Sequence, residues 1–382
     1  DLHLLYHLTL VPFTSAFGMM AGIRIATITS IGLLTLACFI MLRALKVRGA
    51  FAFTLLLVGS ASFFFRVNLA KSQGFAFIVL FLGLLALFRR SRTGLFLAAV
   101  FAVWMSNHWP VLGLAVLMYA GMHVGTTILG APRQWRAILR SAWEALALLV
   151  SAATGFAAGF IVHPYFPGNL AVARQQIWEI AVVGARAGVN SGLEWAPLSA
   201  SELFHAIGFF APLAFAALIG IVVLAATLIR SEDTADRDRL ARAGTMTMLA
   251  LAFVMLSLRS QRHLEFAIPL LMLMCAFGMQ PIIDACWPPR IQIGWRRPGI
   301  IRRSLASFLL AIVTIGFAVG VGISIPPQRA HFQNGYSATH LRDTAEWIRA
   351  HASPNAINFH ASWSDFPFLF LNSAASATII PG

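Results

Sequence analysis

The chain has 382 residues, of which 59% are hydrophobic and 11% charged, and its formal net charge is +14. In soluble proteins about a quarter of the residues are charged, so this composition excludes a soluble globular fold. The basic residues stand between apolar segments and do not cluster with aromatic residues on a polar face, which argues against nucleic acid as a partner. The three cysteines have no paired spacing, so neither a disulfide framework nor a zinc site is indicated.

Apolar segments that are long enough to cross about 30 Å of hydrocarbon recur along most of the chain. Together with the basic residues that separate them, they predict an all-α polytopic membrane bundle of about ten transmembrane helices. The fourth segment is short and is predicted to be tilted, re-entrant or fused to the fifth. In chain order, the predicted spans are residues 19–42, 49–65, 73–88, 94–106, 110–130, 142–162, 203–229, 244–258, 265–283 and 305–325.

The basic residues are distributed unevenly between the two sides of this predicted bundle. Alternating the spans across a bilayer places 18 lysine and arginine residues on one side, in residues 43–48, 89–92, 133–140, 230–242 and 287–303. The positive-inside rule makes that side cytoplasmic. The opposite side contains the histidines at the ends of spans, so we expect the functional groups there, on the periplasmic face of a bacterial inner membrane.

Two predicted outer elements are larger than simple turns. Residues 163–202 contain an amphipathic stretch that predicts a helix on the membrane surface. Residues 326–382 become polar and combine a helical pattern with strands and a turn, so they predict the start of a small extracytoplasmic α/β domain after a membrane domain of residues 1–325. The first residue, Asp1, and the apolar last residues indicate a fragment of a longer protein that lacks its first span.

The segment RSQRHLEFAIP places four ionisable residues, Arg259, Arg262, His263 and Glu265, at the outer end of a span. A charge at the bilayer centre costs about 2.5–3.5 kcal/mol, so these groups must lie at the interface or face a wet cavity. Guanidinium groups bind phosphate oxygens in pairs, which suggests that Arg259 and Arg262 bind a phosphate. His263, at the same helix end, is a candidate catalytic residue. The alternative is that the arginines only reach lipid headgroups and pair with Glu265.

Two further outer segments repeat this pattern. Residues 63–75 contain Arg66 and Lys71, which are candidate phosphate ligands or else plain interfacial cations of a helix hairpin. At the start of the chain, His3 and His7 have helical i, i+4 spacing beside Asp1, an arrangement that can bind a divalent metal. The glutamate of an H-E-x-x-H motif is missing, so an interfacial helix is the alternative.

Other outer polar residues outline the same predicted site. Glu194 stands next to Trp195, and such a pair suits acid or base catalysis or contact with a sugar ring. Each of these residues alone is explained by a structural role, but together they lie on one predicted face. The remaining site-lining candidates are Asn107, His108 and His163.

The segments DLHLLYHLTLVPF, HPYFPGN, GLEWAP, RSQRHLEFAIPLLML and WSDFPFLFLN resemble those of little-characterised bacterial proteins of the GT-C class of membrane glycosyltransferases. The resemblance implies transfer of a sugar from a polyprenyl-phosphate carrier to a lipid, glycan or protein acceptor on the outer side of the membrane. It also implies an acidic residue in the first outer loop that serves as catalytic base or metal ligand, for which Asp1 is the candidate here. Basic residues on outer turns would hold the carrier phosphate, and these map onto Arg259 and Arg262, with Arg66 or Lys71 as a second source.

Two other functions remain open from the sequence. A transporter or lipid flippase would show internal repeats, broken helices and ionisable groups near the midplane. A non-catalytic subunit of an envelope assembly complex would need no catalytic acid. The concentration of charged groups at the outer ends of spans favours the glycosyltransferase.

Overall fold

The computed structural model describes residues 3–69, 71–106, 108–177, 196–231, 233–286, 342–351, 357–360 and 378–381, with isolated helical positions between 311 and 319. The chain divides into two compact units, Asp1–Ser324 and Ile325–Gly382. The first unit is built of helices, as the sequence predicts. They are α1 (Leu4–Phe17), α2 (Met19–Ala44), α3 (Ala50–Gly59), α4 (Ala61–Asn68), α5 (Gln73–Phe88), α6 (Arg92–Met105), α7 (Trp109–Gly130), α8 (Trp135–Ile161), α9 (Gly168–Arg174), α10 (Ala200–Ile207), α11 (Ala211–Ser231), α12 (Thr234–Ser257), α13 (Leu264–Gly278) and α14 (Gln280–Cys286).

The predicted number of spans is not supported. By length and composition, six helical stretches of the described chain can cross a membrane, and a seventh is obtained if α3 and α4, which are bent by 75° at their junction, form one broken span. The helices α1, α5 and α6 have only 14 to 16 residues. At 1.5 Å per residue they rise about 21–24 Å, which is less than the hydrocarbon thickness. The tenth predicted span, residues 305–325, lies largely outside the described residues.

Helix α13 lies at the centre of the bundle and packs against α12, α11, α3 and α4. All of its residues from Glu265 to Gly278 are buried. Peripheral helices instead expose large apolar side chains, such as Ile28 on α2 and Phe215 and Val222 on α11. An apolar surface of this extent is expected where helices face lipid.

Small residues allow helices to approach closely in the bundle. Helices α6 and α8 cross at Gly155, where an added Cβ atom would lie 2.5 Å from the carbonyl oxygen of Phe96 and 2.8 Å from the Cβ of Ala99. Close backbone approach at glycine and alanine is a common way of packing helices in membranes.

Four of the predicted cytoplasmic loops meet at one end of the bundle, which we call the basic end (residues 43–48, 89–92, 133–140 and 230–242, with 280–286). Arg89 Nη2 donates to the carbonyl oxygen of Ala44, and Arg237 Nη2 donates to that of Gly130. Arg90 reaches both Glu144 and Asp238 and so connects the α5–α6 turn with α8 and α12. The predicted grouping is therefore confirmed for four of the five loops, and the fifth, residues 287–303, lies outside the described residues. That these loops are cytoplasmic stays a prediction.

The second unit contains α15 (Arg342–His351) and two strands, β1 (Ile357–His360) and β2 (Thr378–Pro381). The strands pair in parallel, with Ile357 opposite Thr378. The turn that was predicted between the strands falls in residues 361–377, which lie outside the described residues. That this unit begins an extracytoplasmic domain stays a prediction.

Candidate functional site

The opposite end of the bundle, which we call the histidine end, brings together several of the predicted site residues. It is formed by the start of α1, the α4–α5 turn, the α6–α7 turn and the α12–α13 turn. The last of these turns is shaped by Ser260, whose hydroxyl oxygen accepts a hydrogen bond from the Arg262 backbone N–H at 3.3 Å. The Gln261 N–H donates to the carbonyl oxygen of Ala196 at 2.9 Å, which fixes the turn to the chain before α10.

Glu265 is the central residue of this end, because its side chain is only 1% exposed. Its Oε1 atom lies 3.4 Å from His108 Nε2 and 3.9 Å from Arg262 Nε. Arg66 lies close enough to attract the same carboxylate electrostatically. Neither carboxylate oxygen has a hydrogen bond of good geometry within the described residues. A buried carboxylate with unfilled acceptor positions is costly, so it marks a candidate functional site.

The His108 ring is held from several directions. Its centroid lies 4.7 Å from that of Phe266 in an edge-to-face arrangement and 6.4 Å from that of Phe77. The His108 backbone N–H donates to the hydroxyl of Ser106 at 3.2 Å. Because Nε2 faces Glu265, Nδ1 points the other way, and it is buried without a hydrogen-bond partner in the part of the chain that the structure describes. The carboxylate therefore orients the ring through Nε2, and Nδ1 is the nitrogen that could accept a proton.

His3 connects the first helix to this end of the bundle. Its Nδ1 atom lies 3.2 Å from the hydroxyl of Ser72 and 3.4 Å from the carbonyl oxygen of Met105. Burial lowers the pKa of His3 from 6.5 to about 4, and the positive charges of His108, His7 and Arg262 act in the same direction. His3 is thus neutral at pH 7 and lies close enough to His108 and Arg262 to interact with them electrostatically.

The other predicted residues at this end differ in exposure. Arg259, Lys71 and His7 are exposed. The ring of His263 packs against Phe253, with 6.0 Å between the centroids.

His163 is buried at the edge of the histidine end, where its Nδ1 accepts from the Tyr165 N–H at 3.2 Å. Burial lowers the pKa of His163. Its ring lies 6.2 Å from that of Trp104, and no contact joins it to Glu265 in the described structure.

Four predicted site residues lie outside the described residues, namely Asp1, Asn107, Glu194 and Trp195. The predicted metal site therefore rests on His3 and His7 alone. His3 turns toward Ser72 and Met105, whereas His7 is exposed next to Tyr6. Across the described ranges, no group of three or more histidine, cysteine, aspartate or glutamate side chains is arranged to hold a metal ion.

Sequence reasoning missed a polar network at the basic end. Arg90 Nη1 lies 3.2 Å from Glu144 Oε2, which also lies 3.3 Å from His123 Nε2, while Arg90 Nε donates to the Tyr119 hydroxyl. Asp238 completes the network by an ion pair with Arg90. The signal was present in the sequence, because Glu144 and His123 are ionisable residues inside predicted apolar spans.

The fold resembles that of a known enzyme. The archaeal oligosaccharyltransferase AglB from Archaeoglobus fulgidus, solved in complex with an inhibitory peptide and a dolichol-phosphate, matches with a TM-score of 0.61 and 13% identity over 98% of this chain and 55% of that one. The chain thus spans about half the length of the structure that it matches. No family model matches the chain, and no curated protein sequence does. The chain is accordingly a multi-pass membrane protein with a GT-C-like fold, as the sequence resemblance implied.

Proposed function

We propose that this protein transfers a sugar from a polyprenyl-phosphate carrier to an acceptor at the histidine end of the bundle. The proposal rests chiefly on one observation, the buried Glu265 carboxylate placed between His108 and Arg262. The likeness in fold to an oligosaccharyltransferase solved with a dolichol-phosphate supports the same class of reaction. The positive-inside rule supports a periplasmic position for this end.

His108 is the proposed general base. Glu265 acts through it as a positioning residue, because a carboxylate 3.4 Å from Nε2 favours a proton on that nitrogen and so leaves the lone pair on Nδ1. In the reaction, the acceptor oxygen forms a bond to C1 of the sugar while the bond from C1 to the phosphate oxygen breaks. The acceptor proton passes to His108 Nδ1, and the bonding electron pair leaves with the lipid phosphate.

Arg262 is the proposed principal ligand of the departing phosphate. A guanidinium has five N–H donors in a rigid fork, so it can contact Glu265 through Nε and a phosphate through its other nitrogens. Arg66 supplies a second positive charge at the same place, and Arg259 and Lys71 extend the basic surface towards lipid headgroups. Fixed positive charges in a partly dehydrated site stabilise the charge that develops on the leaving group.

The remaining predicted residues complete the proposal. Asp1, Glu194 and His263 are proposed as further acid or base groups, and Trp195 as a platform for the sugar ring. Asn107, His163 and the pair of His3 and His7 are proposed to line the site, with a divalent metal bound by Asp1, His3 and His7 as a second arrangement.

The test is sugar transfer from a purified polyprenyl-phosphate donor by the full-length protein reconstituted in lipid. We expect Arg262→Gln to lower the rate about 100-fold or more, because one electrostatic donor at a developing charge contributes that much. Arg24→Gln is the matched control, since Arg24 is an exposed arginine on α2 outside the site. Equal rates in the wild type and in Arg262→Gln would remove Arg262 from the reaction.

A further inference from the structure

A cavity of about 590 Å³ lies at the basic end, on the opposite side of the bundle from Glu265. It is formed by the α2–α3 loop, the end of α5, the first turns of α12 and the α13–α14 junction. This volume is within the range of sites for small ligands. Its charged lining residues are Lys46, Arg48, Arg89, Arg239, Arg242, Asp238 and Asp284.

Positive charge exceeds negative charge in this cavity. Asp284 pairs with Arg48 at 3.2 Å and with Arg239 at 3.3 Å, while Asp238 pairs with Arg90 outside the lining. Both carboxylates are therefore already engaged. The other three cations, Lys46, Arg89 and Arg242, have no carboxylate within ion-pair distance among the described residues.

Arg242 gives the clearest indication that this cavity suits an anion. Its side chain is half-buried, and its Nε atom is buried without a hydrogen-bond partner among the described residues. A guanidinium N–H that is removed from water and left unpaired costs free energy that an anionic acceptor would recover.

The loop that carries Lys46 is held rigidly in place. The Arg48 N–H donates to Gln280 Oε1 at 2.8 Å, and Gln280 Nε2 donates to the Arg48 carbonyl oxygen at 3.2 Å. Lys46 itself has a φ of 60°, in the left-handed region, and Gly49 follows with a φ of 75°. A non-glycine residue in this conformation is strained and persists only where its surroundings fix it. The loop is thus ordered in a shape that presents its cations to the cavity.

We propose that this cavity binds a phosphate group, either the headgroup of an anionic phospholipid or a soluble phosphate compound. Arginine suits phosphate through paired donors and lysine through its compact charge, and the cavity offers both. The proposal does not depend on the transfer reaction, because the site lies at the other end of the bundle and shares no residue with it.

Two probes distinguish the sources of phosphate. The full chain is placed in phosphatidylcholine nanodiscs, and the binding of inorganic pyrophosphate is measured first. Phosphatidylglycerol is then added to the bilayer, and native mass spectrometry detects whether the protein retains this lipid. Binding of pyrophosphate alone identifies a soluble phosphate site, and retention of phosphatidylglycerol alone identifies a headgroup site. Binding of both identifies a general phosphate site.

Arg242→Gln is the diagnostic variant, and we expect it to weaken the binding of the effective probe about tenfold, the equivalent of one charge-assisted hydrogen bond. Arg133→Gln is the control, because Arg133 is exposed at the same end and outside the cavity. Lys46→Gln provides the same test at an exposed position if Arg242→Gln does not fold. The proposal is overturned if neither probe binds, or if Arg133→Gln weakens binding as much as the cavity variants do.

Discussion

His108 Nε2 lies 3.4 Å from Glu265 Oε1, and this contact joins the α6–α7 turn to the start of the central helix. The two residues are far apart in the sequence, so only the fold brings them together. The carboxylate is 1% exposed and the imidazole 14%, which supports the proposal that Glu265 orients the ring and His108 accepts the proton.

Glu265→Gln is expected to lower the rate constant of sugar transfer about 100-fold with little change in KM, since it removes the charge that orients His108. His108→Asn is expected to lower the rate constant by the same factor. The double variant is expected to lower it no further than either single variant, because the two residues act as a unit. Steady-state kinetics of the three variants check this prediction. Additive losses would show that the residues act separately.

Acidification is expected to release α1 from the bundle through His3. The pKa of His3 is lowered by burial from 6.5 to about 4, so the unfolded or undocked chain binds the proton more readily than the folded one. The contribution of neutral His3 to the free energy of unfolding is therefore fully present above about pH 6.5 and is lost as the pH falls towards 4. Its magnitude is of order 1–3 kcal/mol.

Melting temperatures measured between pH 7 and pH 4 check this, with His3→Gln as the variant and the exposed His7→Gln as the control. We expect the pH dependence to be reduced only in His3→Gln. The same pH dependence in both variants would assign the effect to another group.

Gly155→Ala is expected to destabilise the bundle by about 1–3 kcal/mol, because the new methyl group would overlap the backbone of Phe96 on α6. Gly125→Ala is the matched control on α7, where an added Cβ atom meets no heavy atom within 4 Å. Thermal unfolding in detergent measures both. The account of helix packing fails if Gly155→Ala is as stable as Gly125→Ala.

Arg90→Gln is expected to lower stability by about 1–2 kcal/mol. It leaves Glu144 and Asp238 without their shared cation, but both carboxylates are about one-third exposed, so water offsets part of the loss. Arg92→Gln is the control, because Arg92 is exposed two positions away and its side chain forms no ion pair in the described structure. Equal melting temperatures for the two variants would contradict a structural role for Arg90.

The sequence predicted those features that depend on local periodicity and composition. Pairing of Arg262 with Glu265 was one of the two interpretations of their segment, and Arg262 Nε lies 3.9 Å from Glu265 Oε1. The grouping of basic loops at one end followed from the alternation of apolar segments. These predictions succeed because both properties are set by neighbouring residues.

Features that depend on tertiary contact were not predicted. His108 was one of several outer histidines, and nothing in its neighbourhood indicates that Glu265 faces it. The count of about ten spans is not supported, because hydropathy does not measure helix length, and α5 and α6, with 16 and 14 residues, are shorter than a full span. The cavity at the basic end joins four elements, so no single segment reveals it.

We propose above all that a lipid-linked phosphate binds at the histidine end, next to Arg262. The most direct measurement is photo-crosslinking of the full-length protein with a polyprenyl-phosphate probe, followed by peptide mapping. We predict labelling within residues 61–73 or 259–266 that is lost in Arg262→Gln and retained in Arg242→Gln. Labelling that is unchanged in Arg262→Gln, or that is confined to the basic end, would contradict the account.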